Sequence, residues 1–428
     1  MLSEQTSSAL YGKPLVNPSK LETELEKIRL AAEVQDTSKD QKAGVAPAPR
    51  ARATLSNIII VNAAAPGSQT DTSVDSLIQE LCLSHPSRFF VVDCNLPPGS
   101  KLAADGMATA VSSRCFLADS GAHVCSEEVY VSVEERSVPL VPNLLVSLLA
   151  ADVDVAVLLL GDPTTAPSAT GVKALLSALA PVADRIIYDS ASFEDCRTTL
   201  GCLSSTASNR TDAHPFGDEA AKFCDVTWQR IRRWRSLIAE GFDADRLSDS
   251  ADSISRITIT CQRDSEAIRH GRIPGDALFL GSWILSSLAV VKAGAASQTL
   301  GGVQFECKRG DNPLVLEFVG TIKPDFSAEK GTISVVEILS EKSGFVARLN
   351  IERRTARRTA EVSTGVTGTE CSDSSCEFNV RNAPFLSQPF HDLVLANVVS
   401  RRGEAYYLKT LELAMRLASA ASGKGAKA

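Results

Sequence analysis

The chain has 428 residues, 22% of them charged and 44% apolar, with 51 acidic side chains against 44 basic ones. That length holds two to three ordinary globular domains, and a net charge of −7 argues against general nucleic-acid affinity, which normally leaves a basic excess. Eleven cysteines are too sparse for a disulfide scaffold, and their scatter points to a reducing compartment.

In chain order, Met1 to Lys13 lacks the basic-then-apolar pattern of a secretory leader. Residues 1–52 read as a helix and a flexible linker. Leu21, Leu25, Ile28 and Leu30 stripe a helix over Pro18 to Glu33, and Gln35 to Arg52 is too poor in apolar residues to pack. Strands and helices then alternate over 53–205. Asn57-Ile58-Ile59-Ile60-Val61, Arg88-Phe89-Phe90-Val91-Val92, Val153 to Leu160 and Arg185 to Tyr188 are apolar runs without alternation, which predict burial on both faces. Cys115 to Leu117 and Glu128 to Val133 read as a strand pair. This is an α/β domain with a mostly parallel sheet.

After a polar boundary over 206–216, the pattern changes. Asp218 to Phe242 reads as one long helix. Period-two alternation at Ile257-Ile259-Cys261, Val303-Phe305-Cys307 and Phe345-Ala347-Leu349-Ile351 predicts antiparallel strands with one wetter face. Ala277 to Val291 is apolar all round and should be a buried helix; it is also too short for the ~20 residues of a bilayer span. Residues 217–420 therefore form an α+β domain, ending in a helix striped by Tyr407, Leu408, Leu411 and Met415, with 421–428 as a disordered tail. The expectation is a soluble cytoplasmic protein without nucleic-acid or membrane partners.

No phosphate loop, glycine-rich dinucleotide fingerprint, zinc helix, serine nucleophile elbow or C-x-x-C pair occurs, and the five histidines are widely separated. No catalytic, cofactor or metal residue is therefore assigned. Ligands of open parallel sheets settle beyond the carboxyl ends of the strands. Asp93, Asp162, Asp189 and Ser190 stand there as a candidate crevice, although turn chemistry alone also places such residues at strand ends.

Three other segments stand out. His85-Pro86-Ser87-Arg88 lies at the amino end of its strand, where Arg88 either grips an anion or pairs with a helix carboxy-terminus or a neighbouring acid. On the helix around Asp225 to Ile238, Trp228, Ile231, Trp234, Ile238 and Phe242 share one arc. Arg235 falls in that arc and needs an acid, a carbonyl or a tryptophan face. The stretch is either a partner-binding hot spot or a domain-joining helix with a satisfied arginine. Arg353 to Arg358 is a basic cluster after a strand, and Cys371 and Cys376 are close enough in sequence to form a regulatory disulfide.

Taken in order, these segments resemble the glucose-6-phosphate dehydrogenase assembly protein family, OpcA. The likeness runs from Asn57-Ile58-Ile59-Ile60-Val61 and His85-Pro86-Ser87-Arg88 through Cys125-Ser126-Glu127-Glu128-Val129 and Asp184-Arg185-Ile186-Ile187-Tyr188-Asp189-Ser190-Ala191. It continues in Asp225-x-x-Trp228-x-Arg230-x-x-x-Trp234-Arg235, Phe242-Asp243, Gly281, Trp283 and the helix around Tyr407, spanning roughly 52–418. The resemblance implies a non-catalytic protein that binds glucose-6-phosphate dehydrogenase and promotes its oligomerisation and activity in the oxidative pentose phosphate pathway, acting as an allosteric activator. In some members the family is linked to redox regulation. Arg88, Trp228, Arg230, Trp234 and Arg235 match its apparent signature and are the expected partner contacts, and the resemblance implies no cofactor. Arg232-Arg233 and the Arg353 to Arg358 cluster depart from the family pattern. The competing expectation is a sugar-phosphate-binding enzyme or sensor using the strand-end crevice.

Overall fold

A computed structural model describes residues 9–10, 12–28, 30, 50–51, 54–64, 74–94, 99, 106–117, 123–207, 222–243, 248–263, 265–290, 293–322, 331–342, 345–368, 378–400 and 405–421. Ten strands build the first sheet: β1 (Ala9–Leu10), β2 (Lys13–Val16), β3 (Arg50–Ala51), β4 (Asn57–Asn62), β5 (Arg88–Asp93), β6 (Met107–Leu117), β7 (His123–Val133), β8 (Val155–Leu160), β9 (Arg185–Tyr188) and β10 (Phe223–Asp225). Their spatial order is β1-β2-β6-β7-β5-β4-β8-β9-β10, with β3 beside β7. From β7 to β10 every pairing is parallel. Counted in chain order, those six strands stand 3-2-1-4-5-6, the doubly wound arrangement of dinucleotide-binding domains. The unbroken apolar runs of the sequence are buried on both faces, as that arrangement requires.

The second sheet has eight strands: β11 (Ile254–Gln262), β12 (Ala293–Gln298), β13 (Gly302–Arg309), β14 (Asn312–Thr321), β15 (Ile333–Lys342), β16 (Phe345–Arg354), β17 (Thr359–Gly368) and β18 (Phe378–Pro384). Their order is β12-β13-β14-β11-β15-β16-β17-β18, and only the β11–β14 pair is parallel. Alternating burial along β11, β13 and β16 matches the period-two reading. The α/β domain with a mostly parallel sheet and the α+β domain with antiparallel strands are thus both present.

Two expectations change. The first sheet reaches beyond 53–205 at both ends, because Leu15 and Val16 pair with β6 and Phe223 to Asp225 add β10. The single helix over 218–242 does not form. Asp225 ends β10 and caps a short helix, Val226–Arg230, and the backbone turns at Ile231 (φ −79°, ψ 0°) before Arg232–Phe242 resumes. Residues 217–221 lie outside the described residues, as do 31–49 of the expected linker, 208–216 of the boundary, the 422–428 tail, and Cys371 and Cys376.

The C-terminal helices return to the first domain. Phe390–Val399 packs Leu393, Val394 and Val398 against Ile58, Ile60, Leu77 and Ile187 on one face of the first sheet. Ala405–Ala421 sends Tyr407 to Tyr188, whose hydroxyls lie 3.0 Å apart. One apolar core therefore runs from Ile59 and Phe90 in the first sheet to Ile257 and Phe318 in the second. A core shared in this way disfavours loose motion between domains.

Candidate functional site

The junction of the two sheets is built from strand ends. Asp189 follows β9 and accepts the Ala191 N–H at 3.1 Å. Asp225 ends β10 and accepts the backbone N–H groups of Thr227 (2.9 Å) and Ser190 (3.1 Å). One turn on, Arg230 lays its fork on Asp189, with Nη1 to Oδ1 at 2.9 Å and Nη2 to Oδ2 at 2.5 Å. The same Nη1 reaches Asp276 Oδ1 at 3.0 Å, in the first turn of the buried helix Gly275–Ser287. Acid at a helix amino end also suits the helix dipole. The Thr227 hydroxyl lies 3.2 Å from both Asp189 and Asp276. Gly275 is needed here, since a Cβ would stand 2.5 Å from the Ser190 backbone.

Two carboxylates, Asp189 and Asp276, hold the guanidinium, and a third, Asp225, is buried beside Asp189. Asp225 is 1% exposed, and burial, followed by the nearby Asp189 charge, pushes its carboxyl up to about 7. Aromatic packing seals the junction. Arg235 lies over the Trp228 ring, 3.5 Å from its centroid, and donates to the Trp228 carbonyl at 3.1 Å. Trp228 packs on Tyr407, and Trp234 meets Phe385 edge-on. The tryptophans retain only 3% and 4% exposure. Of the two readings of this segment, its geometry is that of the domain-joining helix with a satisfied arginine. The two tryptophan rings are buried inside the chain and present no open face to a partner.

The crevice candidates divide. Asp189 and Ser190 belong to the hub. Asp162 is engaged by its own turn and by the segment after β9, accepting from Thr164 N (2.8 Å), Thr164 Oγ1 (2.6 Å), Thr199 Oγ1 (3.0 Å) and Glu194 N (3.1 Å). Asp93 ends β5, half-buried. At the switch point between β4 and β8, Gly161 (φ +84°) presses so closely on Ala64 that a Cβ would lie 2.8 Å from its Cα. A separate cleft of about 330 Å³ lies on the second sheet, where Glu240, Asp243, Thr364 and Arg381 are among its walls.

Arg88 pairs as the structural reading anticipated. It donates to Leu148 O, the last residue of Val141–Leu148, at 2.5 Å and meets Glu127 at 2.7 Å. His85 Nε2 lies 2.9 Å from Ser56 Oγ, and burial lowers its pKa. The Arg353 to Arg358 cluster forms the β16–β17 turn, where Arg354 pairs with Glu352 and Glu361. Among the described residues no group of three or more His, Cys, Asp or Glu is placed to hold a metal ion, and no helix is long and apolar enough to cross a membrane.

A cross-strand disulfide, Cys115–Cys125, joins residues that sequence reasoning does not pair, and it departs from the expectation of a reducing compartment. Only the β6–β7 register puts these residues opposite each other, with Cα atoms 4.1 Å apart. Beside it Arg114 joins Glu128 (2.7 Å) and Asp75 (2.6 Å), holding the Asp75 carboxyl below its usual range. Closing a loop of ten residues stabilises a fold by roughly 2–3 kcal/mol. Dithiothreitol is expected to reach the exposed Cys115, expose two further titratable thiols and lower Tm; equal thiol counts with and without reductant would remove the bond.

Fold and site together define a doubly wound α/β domain locked to an antiparallel-sheet domain by a buried ion-pair hub. Residues 78–205 match the family described as the glucose-6-phosphate dehydrogenase subunit N-terminal domain, and residues 221–365 match its C-terminal domain. The chain belongs to this glucose-6-phosphate dehydrogenase assembly family, OpcA. No curated protein matches it. Among solved structures it is similar, at 10% identity, to a 3-ketoreductase from Actinomadura kijaniata (TM-score 0.45, covering 85% of this chain and 96% of that one). It is also similar at 10% identity to a UDP-N-acetylglucosamine 3-dehydrogenase from Acidithiobacillus ferrooxidans (TM-score 0.39, 85% and 95%) and an inositol dehydrogenase homolog from Azotobacter vinelandii (TM-score 0.35, 88% and 90%). Likenesses this remote carry nothing about activity.

Proposed function

We propose that this chain is a non-catalytic assembly factor that binds glucose-6-phosphate dehydrogenase, favours its active oligomer and so raises its activity in the oxidative pentose phosphate pathway. The observation that carries the reading is the pair of family matches, which together span both domains. The geometry is compatible with it: the polar groups at the carboxyl edge, Asp162, Asp189 and Asp225, are engaged by the chain's own backbone and side chains. A binder of this kind acts by holding one state of its target more tightly than the other, which shifts the target's population.

In this reading the segment from Trp228 to Phe242 acts by positioning. Arg230, Trp228, Trp234 and Arg235 fix the angle between the two sheets, and Arg88 fixes the amino edge of the first, so that the partner meets one rigid surface. The test mixes the purified chain with the dehydrogenase and follows sedimentation and NADPH formation together. A heavier species with raised turnover is expected, and Arg230→Ala with Trp234→Ala should weaken both. Two results overturn the reading: no complex at micromolar concentrations, or turnover of a metabolite by the chain alone that one point substitution abolishes.

A further inference from the structure

Three partly buried arginines of the first domain and its junction meet acid. Arg88 meets Glu127, Arg114 meets Glu128 and Asp75, and Arg230 at the junction meets Asp189 and Asp276. Arg185 does not. It opens β9 with 8% of its surface exposed, yet among the described residues no carboxylate lies within ion-pair distance and its Nε is buried without a hydrogen bond.

The neighbours explain why no acid among the described residues neutralises it. Asp184, directly before it, is occupied in accepting the Val155 N–H at 2.8 Å. Strand alternation turns Arg185 to the side of Ile187, where Cys224, Val226, Leu393 and Val394 form an apolar layer. The Cys224 thiol there is within hydrogen-bond reach of the guanidinium, but burial pushes it up and keeps it neutral, so it offers no counter-charge. In the β9–β10 register Phe223 stands opposite Ile186, so Lys222 comes level with Arg185 and adds a second positive charge at the same rim. An uncompensated buried guanidinium is costly, and its planar fork suits two oxygens of one anion.

We propose that Arg185 is an oxyanion seat at the amino edge of the first sheet, filled from outside this chain by a carboxylate or phosphate group. Where the group is an acidic side chain of the dehydrogenase, the seat rests on the proposed function and supplies one contact of that complex; where it is free phosphate, it stands independently. Lys222 lends charge without fixed geometry, whereas Arg185 supplies the fork.

The variant Arg185→Gln distinguishes these cases. In chloride buffer it should melt at or above the wild-type temperature, because no charged partner among the described residues is lost and glutamine can still reach the Cys224 thiol. Against the dehydrogenase it should bind about tenfold more weakly, the cost of one charge-assisted contact. If free phosphate is the occupant, inorganic phosphate at matched ionic strength should raise the wild-type Tm and leave the variant unmoved. The proposal is overturned if the variant loses several degrees in chloride, which would reveal an internal partner. It is equally overturned if wild type and variant match in both dehydrogenase affinity and phosphate response. Failure of the wild type to bind the dehydrogenase would fell the functional reading alone, since the phosphate arm still tests the seat.

Discussion

Arg230→Ala is expected to lower unfolding free energy by about 3–5 kcal/mol, the range for removing one partner from a buried ion pair. The loss has two parts. Asp189 loses both arms of the fork, and Asp276 is left buried at the first turn of Gly275–Ser287 without its cation. Because these acids belong to different domains, the break falls on the contact that orients one sheet against the other. Arg233→Ala supplies the contrast. Its pair with Glu240 is a partly exposed one at 3.1 Å, and its loss should cost no more than about 1 kcal/mol. Should Arg230→Ala fail to fold, combining Arg230→Met with Asp189→Asn and Asp276→Asn removes all three charges and should recover a folded chain. Urea denaturation decides; equal losses for Arg230 and Arg233 would show that the hub holds nothing.

Much of this architecture was legible because the signals were local. Ile58 to Val61 and Phe89 to Val92 carry no alternation, and the strands they predict are buried on both faces. Arg235 was expected to need a carbonyl or a tryptophan face, and it has both. Arg88 was given a helix end or an acid as its structural alternative, and it also has both. What escaped depended on distant partners. Phe223 and Cys224 look like the start of a helix until β9 lies beside them. Asp189 and Asp276 are 87 residues apart, so no spacing rule connects them to Arg230. Trp228 and Trp234 were seen as aromatic and aligned, but periodicity does not say whether a stripe meets another protein or the chain's own C-terminal helix, which supplies Tyr407. Cys115 and Cys125 likewise need the hairpin register before they become neighbours.

Asp225→Asn is expected to stabilise the protein at pH 8 and to leave it nearly unchanged at pH 5. The sign follows from the proton balance. In the folded chain the Asp225 carboxyl titrates at about 7, against 3.8 for an unstrained aspartate. Between those values the folded state holds a proton that the unfolded state has released, so this group's contribution is complete below about pH 4 and is lost as pH rises to 7. Carrying the ionised form in the core then costs about 4 kcal/mol by the same linkage, as an upper bound. Asparagine carries no charge and keeps the oxygen that accepts from Thr227 and Ser190. Its amide also meets a need: the Ser190 hydroxyl and Asp225 Oδ2 face each other, both buried and without a hydrogen bond of ordinary length. A gain of about 1–3 kcal/mol at pH 8 is the expected net, since the anion's own hydrogen bonds are weakened in exchange. Asp276, which burial also raises against the pull of Arg230, keeps some slope in the variant, so the change should amount to about one proton. Denaturation midpoints from pH 5 to 8 give the result. A variant less stable than wild type at pH 8, or one with an unchanged slope, would mean that Asp225 is ionised in the folded protein and that the hub holds its third negative charge at no cost.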